Sequence, residues 1–231
     1  MNYKEWKFIY KKIIKDFNFN IEDDENSACI LNKFLDNKEK LCSIKKIKNL
    51  INDEDIVIFG AGPSLKNSIY KHRKIFEDKL KIAADGATTA LLEFNIRPDV
   101  IVTDLDGKIS DQIKANSLGS IIVLHAHGDN IKKIFKYFKK FEGDLLGTTQ
   151  INPSLYNNLH NFGGFTDGDR AVFLADHFHA RNIYLIGFDF NGDIGEYSFA
   201  KKKDKKLKRK KLKWCKCLID ELSRQNFIKY L

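Results

Sequence analysis

Proline is nearly missing from this chain, three in 231 residues, and neither a Pro/Gly-rich linker nor an internal repeat divides it. Tethered domain strings and repeat arrays are thereby excluded, and the length suits one α/β domain with an appendage. No apolar run approaches the roughly eighteen residues of a membrane-crossing helix. The opening MNYKEWKFIYKKIIK is charged throughout, so no secretory signal is expected. Four cysteines, at 29, 42, 215 and 217, form no C-x-x-C pair, which argues against a zinc cage or a disulfide framework and for a reduced, cytoplasmic protein. With 43% hydrophobic and 31% charged residues the composition is globular rather than disordered.

Net charge is also scarce outside one place. The formal +9 comes from residues 201–213, KKKDKKLKRKKLK, which hold ten of the 40 basic residues and one of the 31 acids, leaving 30 of each sign elsewhere. A neutral protein with one basic patch needs an anionic partner only at that patch. A solvated lysine-rich helix, a contact to triphosphate oxygens through Lys201, Lys202, Lys203 and Lys206, and a nucleic-acid surface all fit the tract; with no interleaved aromatics, nucleic acid fits it least.

Trp6, Ile9, Tyr10, Ile13 and Phe17 recur at helical spacing and predict a helix over residues 3–17. Ser27 is expected to cap a second helix through Leu35, and Ser43 a third through Ile51. After residue 54 the pattern changes to short apolar runs, DIVIFG, KIAAD, DVIVTD, SIIVLHA, DLLGTT and NIYLIGFDF, separated by helical stretches such as Thr88–Phe94 and Ile131–Phe141. This predicts a Rossmann-like α/β core over 54–200, a mostly parallel sheet with helices on both faces. Residues 1–53 form a helical N-terminal extension, and 201–231 a lysine-rich segment with a C-terminal helix packing on the core.

In such sheets ligands bind beyond the carboxyl ends of the strands. Gly60, Asp85, Asp104, Asp106, His125, Thr148 and Asp189 all fall at such ends, which implies one shared site. Gly60 and Gly62, in GAGPSL before Ser64, would let a phosphate approach the backbone; Leu65 in place of a third glycine argues against an NAD fingerprint. Asp104 and Asp106 project to one side of an extended chain, and two such carboxylates with Gly107 behind them suit a Mg²⁺–nucleotide site as well as a solvated acidic turn. Asp167 and Asp169, with Arg170 beside them, open another helix; capping accounts for one of them. Phe162, Gly163, Gly164 and Phe165 ahead of them form either a loop with a stacking ring or ordinary core. His125 and His127 lack a regularly spaced third ligand, so polar contact with substrate outweighs a zinc site. Thr148, Thr149 and Gln150 offer hydroxyls and an amide at a further strand end.

Taken together, FGAGPSL, AADGATTALLEFNIRPDVIVTDLDG, HAHGDN, GTTQ, NFGGFTDGDRAVFLA and YLIGFDF keep one order over roughly residues 55–200. This set resembles the archaeal 6-hydroxymethyl-7,8-dihydropterin pyrophosphokinase family, and the Asp-Gly to Asp-x-Asp segment resembles thiamine pyrophosphokinases. The resemblance implies a thiamine-pyrophosphokinase-like catalytic core and ATP-dependent diphosphate transfer to the hydroxymethyl of a reduced pterin, with Mg²⁺ as cofactor, towards methanopterin- or folate-type products. Carried over by motif, Asp85, Asp104, Asp106 and Asp169 are the expected metal ligands, and Asp104, Asp106 and Asp169 the catalytic acids. Gly60, Gly62, Ser64, Asp85, Gly86, His127, Thr148, Thr149, Gln150, Asp167 and Lys201 are the expected nucleotide or substrate contacts. Gly107 stands where the thiamine enzymes usually carry Ser, which disfavours thiamine as acceptor. The expected partners are ATP and the pterin, with no membrane and no nucleic acid and with a homo-oligomer left open; the rival readings are a nucleotide-sugar glycosyltransferase and a non-catalytic nucleotide- or RNA-binding module.

Overall fold

The computed structural model describes residues 1–191, 193–199, 205–223 and 227–231. Its centre is an all-parallel sheet in the order β6-β5-β4-β3-β2-β1-β7-β8. The strands are β1 (Asp55–Phe59), β2 (Leu80–Ala84), β3 (Val100–Thr103), β4 (Ile121–Ala126), β5 (Leu145–Thr149), β6 (Leu159–His160), β7 (Asn182–Ile186) and β8 (Ile228–Tyr230). Every residue of β3, β4 and β5 is buried, as a parallel sheet covered on both faces requires. The six long strands match the apolar runs of the sequence. β6 and β8, two and three residues long, carry no such run.

Helices fill the crossovers: α4 (Leu65–Phe76), α5 (Ala87–Glu93), α6 (Ile109–Ser117), α7 (Ile131–Tyr137) and α8 (Asp167–His177). The strand order reverses direction between β1 and β7, so the carboxyl ends of these two strands flank a topological switch point where a crevice opens.

Three helices precede the sheet: α1 (Tyr3–Phe17), α2 (Ile21–Asp36) and α3 (Ile44–Ile51). Asn2 and Glu5 close a capping box on α1, whose Trp6, Tyr10 and Ile13 are buried. Ser43 caps α3 by accepting from Lys46 N at 3.1 Å, as its sequence predicts. Ser27 does not cap α2. The helix starts six residues earlier behind Asn20, and Ser27 is buried inside it, donating to Asn130 Oδ1 at 3.0 Å. An interior serine finds that acceptor only because α2 packs against the segment after β4, a tertiary contact that local spacing does not encode. These helices share one hydrophobic core with the sheet; Trp6, Phe59, Phe76, Phe141 and Phe173 are its largest fully buried side chains. α9 (Lys205–Ser223) packs on α8, and its Trp214 Nε1 donates to Asp16 Oδ2 of α1 at 2.7 Å.

Candidate active site

β1 runs straight into Gly60-Ala61-Gly62 at the switch point. Gly60 N donates to Ile186 O at 2.8 Å and Gly62 N to Gly187 O at 2.9 Å, so the turn is drawn against the end of β7. A Cβ on Gly62 would lie 2.2 Å from Asp189 Oδ2 and 2.5 Å from Gly187 O, so this glycine is required by the chain's own packing. The start of α4 is answered from within the protein as well: Asp189 Oδ2 accepts from Ser64 N at 2.9 Å and from Ser64 Oγ at 2.8 Å. Gly60, Ala61 and Gly62 line the cleft, whereas Ser64 does not.

Three carboxylates converge beyond β2 and β3. Asp85, Asp104 and Asp167 place one oxygen each within 4.8 Å of one another. Asp85, at φ 42°, follows β2; its Oδ1 accepts from Thr103 Oγ1 and Gln112 Nε2, both at 2.8 Å. Asp104 follows β3. Its Oδ2 lies 3.2 Å from His127 Nε2, while its Oδ1 is buried with no hydrogen-bond partner among the described residues. Asp167, the first residue of α8, accepts from Arg170 Nη1 at 3.1 Å. The other member of each aspartate pair stands outside this trio, although Asp106 still lines the cleft. Leu105 takes φ 69°, and Asp106 beyond it is half-exposed and ion-paired with Lys133. Asp169 is fully buried, accepting from Phe165 N at 2.6 Å, from Thr166 N at 2.8 Å and from the Thr166 hydroxyl, as the N3 partner of a capping box.

Electrostatics follow from that crowding. Burial, then the charge of Asp104, pushes Asp85 up to about 6, against the pull of its Thr103 hydrogen bond. Burial and Asp104 likewise hold Asp167 well above the ordinary carboxylate range despite Arg170. Burial would raise Asp104 too, but the adjacent His127, with Arg170 and Lys211, outweighs it and holds this carboxyl far below its ordinary value. The three acids thus resist carrying three charges together, a conflict that a divalent cation resolves. Hard carboxylate oxygens, one of them buried without a donor, fit Mg²⁺ rather than a nitrogen- or sulfur-seeking metal.

Of the other expected contacts, Gly86, His127 and Gln150 line the cleft. Thr148 and Thr149 are buried away from its wall: Thr148 Oγ1 sits 3.0 Å from His125 Nδ1, and Thr149 Oγ1 accepts from Ile151 N at 3.4 Å. Lys201, with Lys202 and Lys203, lies outside the described residues. Phe165 lines the cleft, and Phe162 instead packs among His160, His177 and Phe178.

Two walls escaped the sequence reading. One is α9, whose Lys208, Lys211, Leu212 and Cys215 face the cleft. Their spacing of three, four and seven residues is one helix face, a signal that was legible within the lysine tract. Lys208 Nζ donates to Ser198 O at 2.5 Å and Ser198 Oγ at 2.6 Å; burial lowers its pKa against the opposing charges of Asp85, Asp106 and Asp104. The other wall is the start of α2, with Phe19, Asn20, Asp23 and Asp24. Asp24 is buried and accepts from the Tyr10 hydroxyl, from Gln150 Nε2 at 2.7 Å and from Gly128 N at 2.8 Å. Within the acidic run EDDE nothing distinguished it.

A parallel sheet with a crevice at its switch point, and a carboxylate trio on the rim that could hold a metal ion with lysines across from it, defines an α/β protein with a ligand cleft at the carboxyl edge of its sheet. The model of the family described as 6-hydroxymethylpterin diphosphokinase MptE-like matches residues 32–194, and the chain belongs to that family. It is 45% identical to the 6-hydroxymethyl-7,8-dihydropterin pyrophosphokinase of Methanocaldococcus jannaschii, with 100% of both chains covered. It is 43% identical to the Pyrococcus furiosus protein of the same name, over 96% of this chain and 94% of that one. Among solved structures, thiamine pyrophosphokinase from Bacillus subtilis aligns with 77% of this chain and 60% of its own at 16% identity and a TM-score of 0.42. MAf glycosyltransferase from Magnetospirillum magneticum aligns with 62% of this chain and 26% of its own at 16% identity and a TM-score of 0.38. No helix among the described residues is long and apolar enough to cross a membrane.

Proposed function

We propose that this protein transfers the terminal diphosphate of ATP to the hydroxymethyl oxygen of 6-hydroxymethyl-7,8-dihydropterin, giving AMP and the pterin diphosphate. The observation that carries this reading is the meeting of Asp85, Asp104 and Asp167 at the carboxyl rim of the sheet, in a chain similar over its full length to proteins of that name. Asp85, Asp104 and Asp167 are the proposed metal ligands, with Asp169 the brace of the loop that presents Asp167. Mg²⁺ held there would polarise the β-phosphoryl group and offset charge on the departing AMP oxygen.

The chain's own part is positioning and charge. In the transfer the acceptor oxygen bonds to the β-phosphorus as the bond to the α–β bridging oxygen breaks and the hydroxyl proton leaves to solvent, a loose process that asks little covalent help of the protein. Lys208, fixed by Ser198 and adjacent to the carboxylates, supplies a preorganised positive charge to the polyphosphate. His127 holds Asp104 ionised, and Arg170 steadies Asp167. Asp189 ties down Ser64 just before α4, and Gly60–Gly62 bring the backbone close to the cleft.

Incubation with ATP, Mg²⁺ and the pterin alcohol should release AMP in step with pterin diphosphate, and thiamine should not replace the pterin. Absence of AMP with the pterin, or equal turnover of thiamine, overturns the reading.

A further inference from the structure

The cleft has two unlike ends, and the carboxylate triad divides them. At the switch point lie Gly60–Gly62 and Phe188–Phe190; at the other end, past β4 and β5, lie Phe19, Asp23, Gly128, Gln150 and Phe165. β1 and β4 are three strand spacings apart, about 14 Å. The far end is built largely by the helices that precede the sheet. Asp24, satisfied by Tyr10, Gln150 and Gly128, locks the first turn of α2 against the segments after β4 and β5.

The far end mixes charges, with Lys211 Nζ 5.8 Å from the Phe165 ring and acids at the start of α2. A helix N-terminus ordinarily draws anions, but the first turn of α2 carries Glu22, Asp23 and Asp24. It also offers features that suit a flat, polar bicycle. Phe19 and Phe165 lie with centroids 6.4 Å apart, inclined at 44°. Arg170 is 7% exposed, lines the cleft and leaves its buried Nε donor without a partner among the described residues. Asp23, next to the anchored Asp24, lines the cleft, and its carboxylate makes no hydrogen bond or ion pair with the described residues.

We propose that this end is the acceptor subsite and that the Asp23 carboxylate selects the pterin by pairing with its N3–H and 2-amino group. The proposal rests on the diphosphokinase reading and deepens it. A pterin presents two adjacent N–H donors along its pyrimidinone edge, which match the two oxygens of one carboxylate. Adenine presents a donor beside an acceptor nitrogen, and that nitrogen would face a carboxylate lone pair. The same acid therefore accepts the pterin and turns away the nucleotide base, fixing which substrate enters which end. Phe19 and Phe165 supply ring faces, and Arg170 Nε a donor for the 4-oxo group.

The test uses the full-length protein and the exposed, isosteric change Asp23→Asn. Wild-type turnover is established first, so that loss of the diphosphokinase reading itself is seen separately, as no AMP from the unaltered protein. The variant should raise KM for the pterin alcohol, and Kd for oxidised 6-hydroxymethylpterin followed by its fluorescence without ATP, by about tenfold or more. Its kcat and its KM for ATP should stay within about twofold. Unchanged pterin affinity, or a rise in KM for ATP in place of the pterin, overturns the proposal.

Discussion

The two aspartate pairs, Asp104/Asp106 and Asp167/Asp169, have the same spacing, and each sends one member into the triad and the other away. The reasons differ. After β3 the chain is extended and would aim both acids one way, but Leu105 at φ 69° reverses the backbone and delivers Asp106 to Lys133. In α8, residues two apart sit about 200° around the axis, so Asp167 and Asp169 cannot share a target. Asp169 turns back to close the loop at Phe165 and Thr166, and that closure fixes where α8 begins and hence where Asp167 stands. Spacing alone nominates candidates; the dihedral between them, or the helix phase, makes the choice.

The first pair offers the largest contrast. Asp104→Asn should cut AMP formation by about 10³-fold or more, because it removes a ligand and leaves His127 facing an amide. Asp106→Asn should cost no more than about tenfold, since Asp106 lines the cleft half-exposed and paired with Lys133 but stands outside the trio. Equal loss in the two variants, in initial-rate assays at saturating Mg²⁺, would erase the distinction.

The second pair should separate metal use from stability. Asp167→Asn should raise the Mg²⁺ concentration for half-maximal activity about 100-fold while the melting temperature holds or rises, because a crowded negative charge is removed. Asp169→Asn should leave the Mg²⁺ requirement in place and lose about 2 kcal/mol, some 4–8 °C in melting temperature for a chain of this size. A swap of those two outcomes would return Asp169 to the metal.

A smaller effect is the pH response of the metal-free protein. Asp85 is raised to about 6 and Asp167 is raised too, so the folded state holds their protons more tightly than the unfolded chain does. That stabilisation is complete below the unfolded value near 3.8 and is lost as pH rises through about 6. Mg²⁺ should therefore raise the melting temperature more at pH 7.5 than at pH 5, and Asp85→Asn should flatten the difference. Thermal melts with and without Mg²⁺ at the two pH values measure both.

The parallel sheet was legible because six apolar runs alternate with helical stretches, and burial on both faces demands such runs. β6 and β8 were not, since two or three paired residues at an edge need no pattern. Asp85 and Asp104 were legible as strand-end acids, whereas the exchange of Asp169 for Asp167 depends on helix phase and a loop closure. Gly107 has a packing reason: a Cβ there would lie 2.9 Å from Asp85 Oδ2, so a larger residue would press on a triad carboxylate. The contributions of α2 and α9 were hidden because acids in EDDE and lysines in a lysine tract look alike until a fold selects among them.

Residues near both ends of the polypeptide wall the same cleft, Phe19 to Asp24 on one side and Lys208 to Cys215 on the other, and Asp16 meets Lys210 and Trp214 where α1 and α9 touch. The acidic wall and the lysine wall are thus tied directly to each other, through one aspartate outside the cleft, as well as through the sheet beneath them. A change at Asp16, such as Asp16→Ala, should therefore disturb ligand binding from outside the cleft, through the placement of both walls, while the strand pairing of the sheet persists.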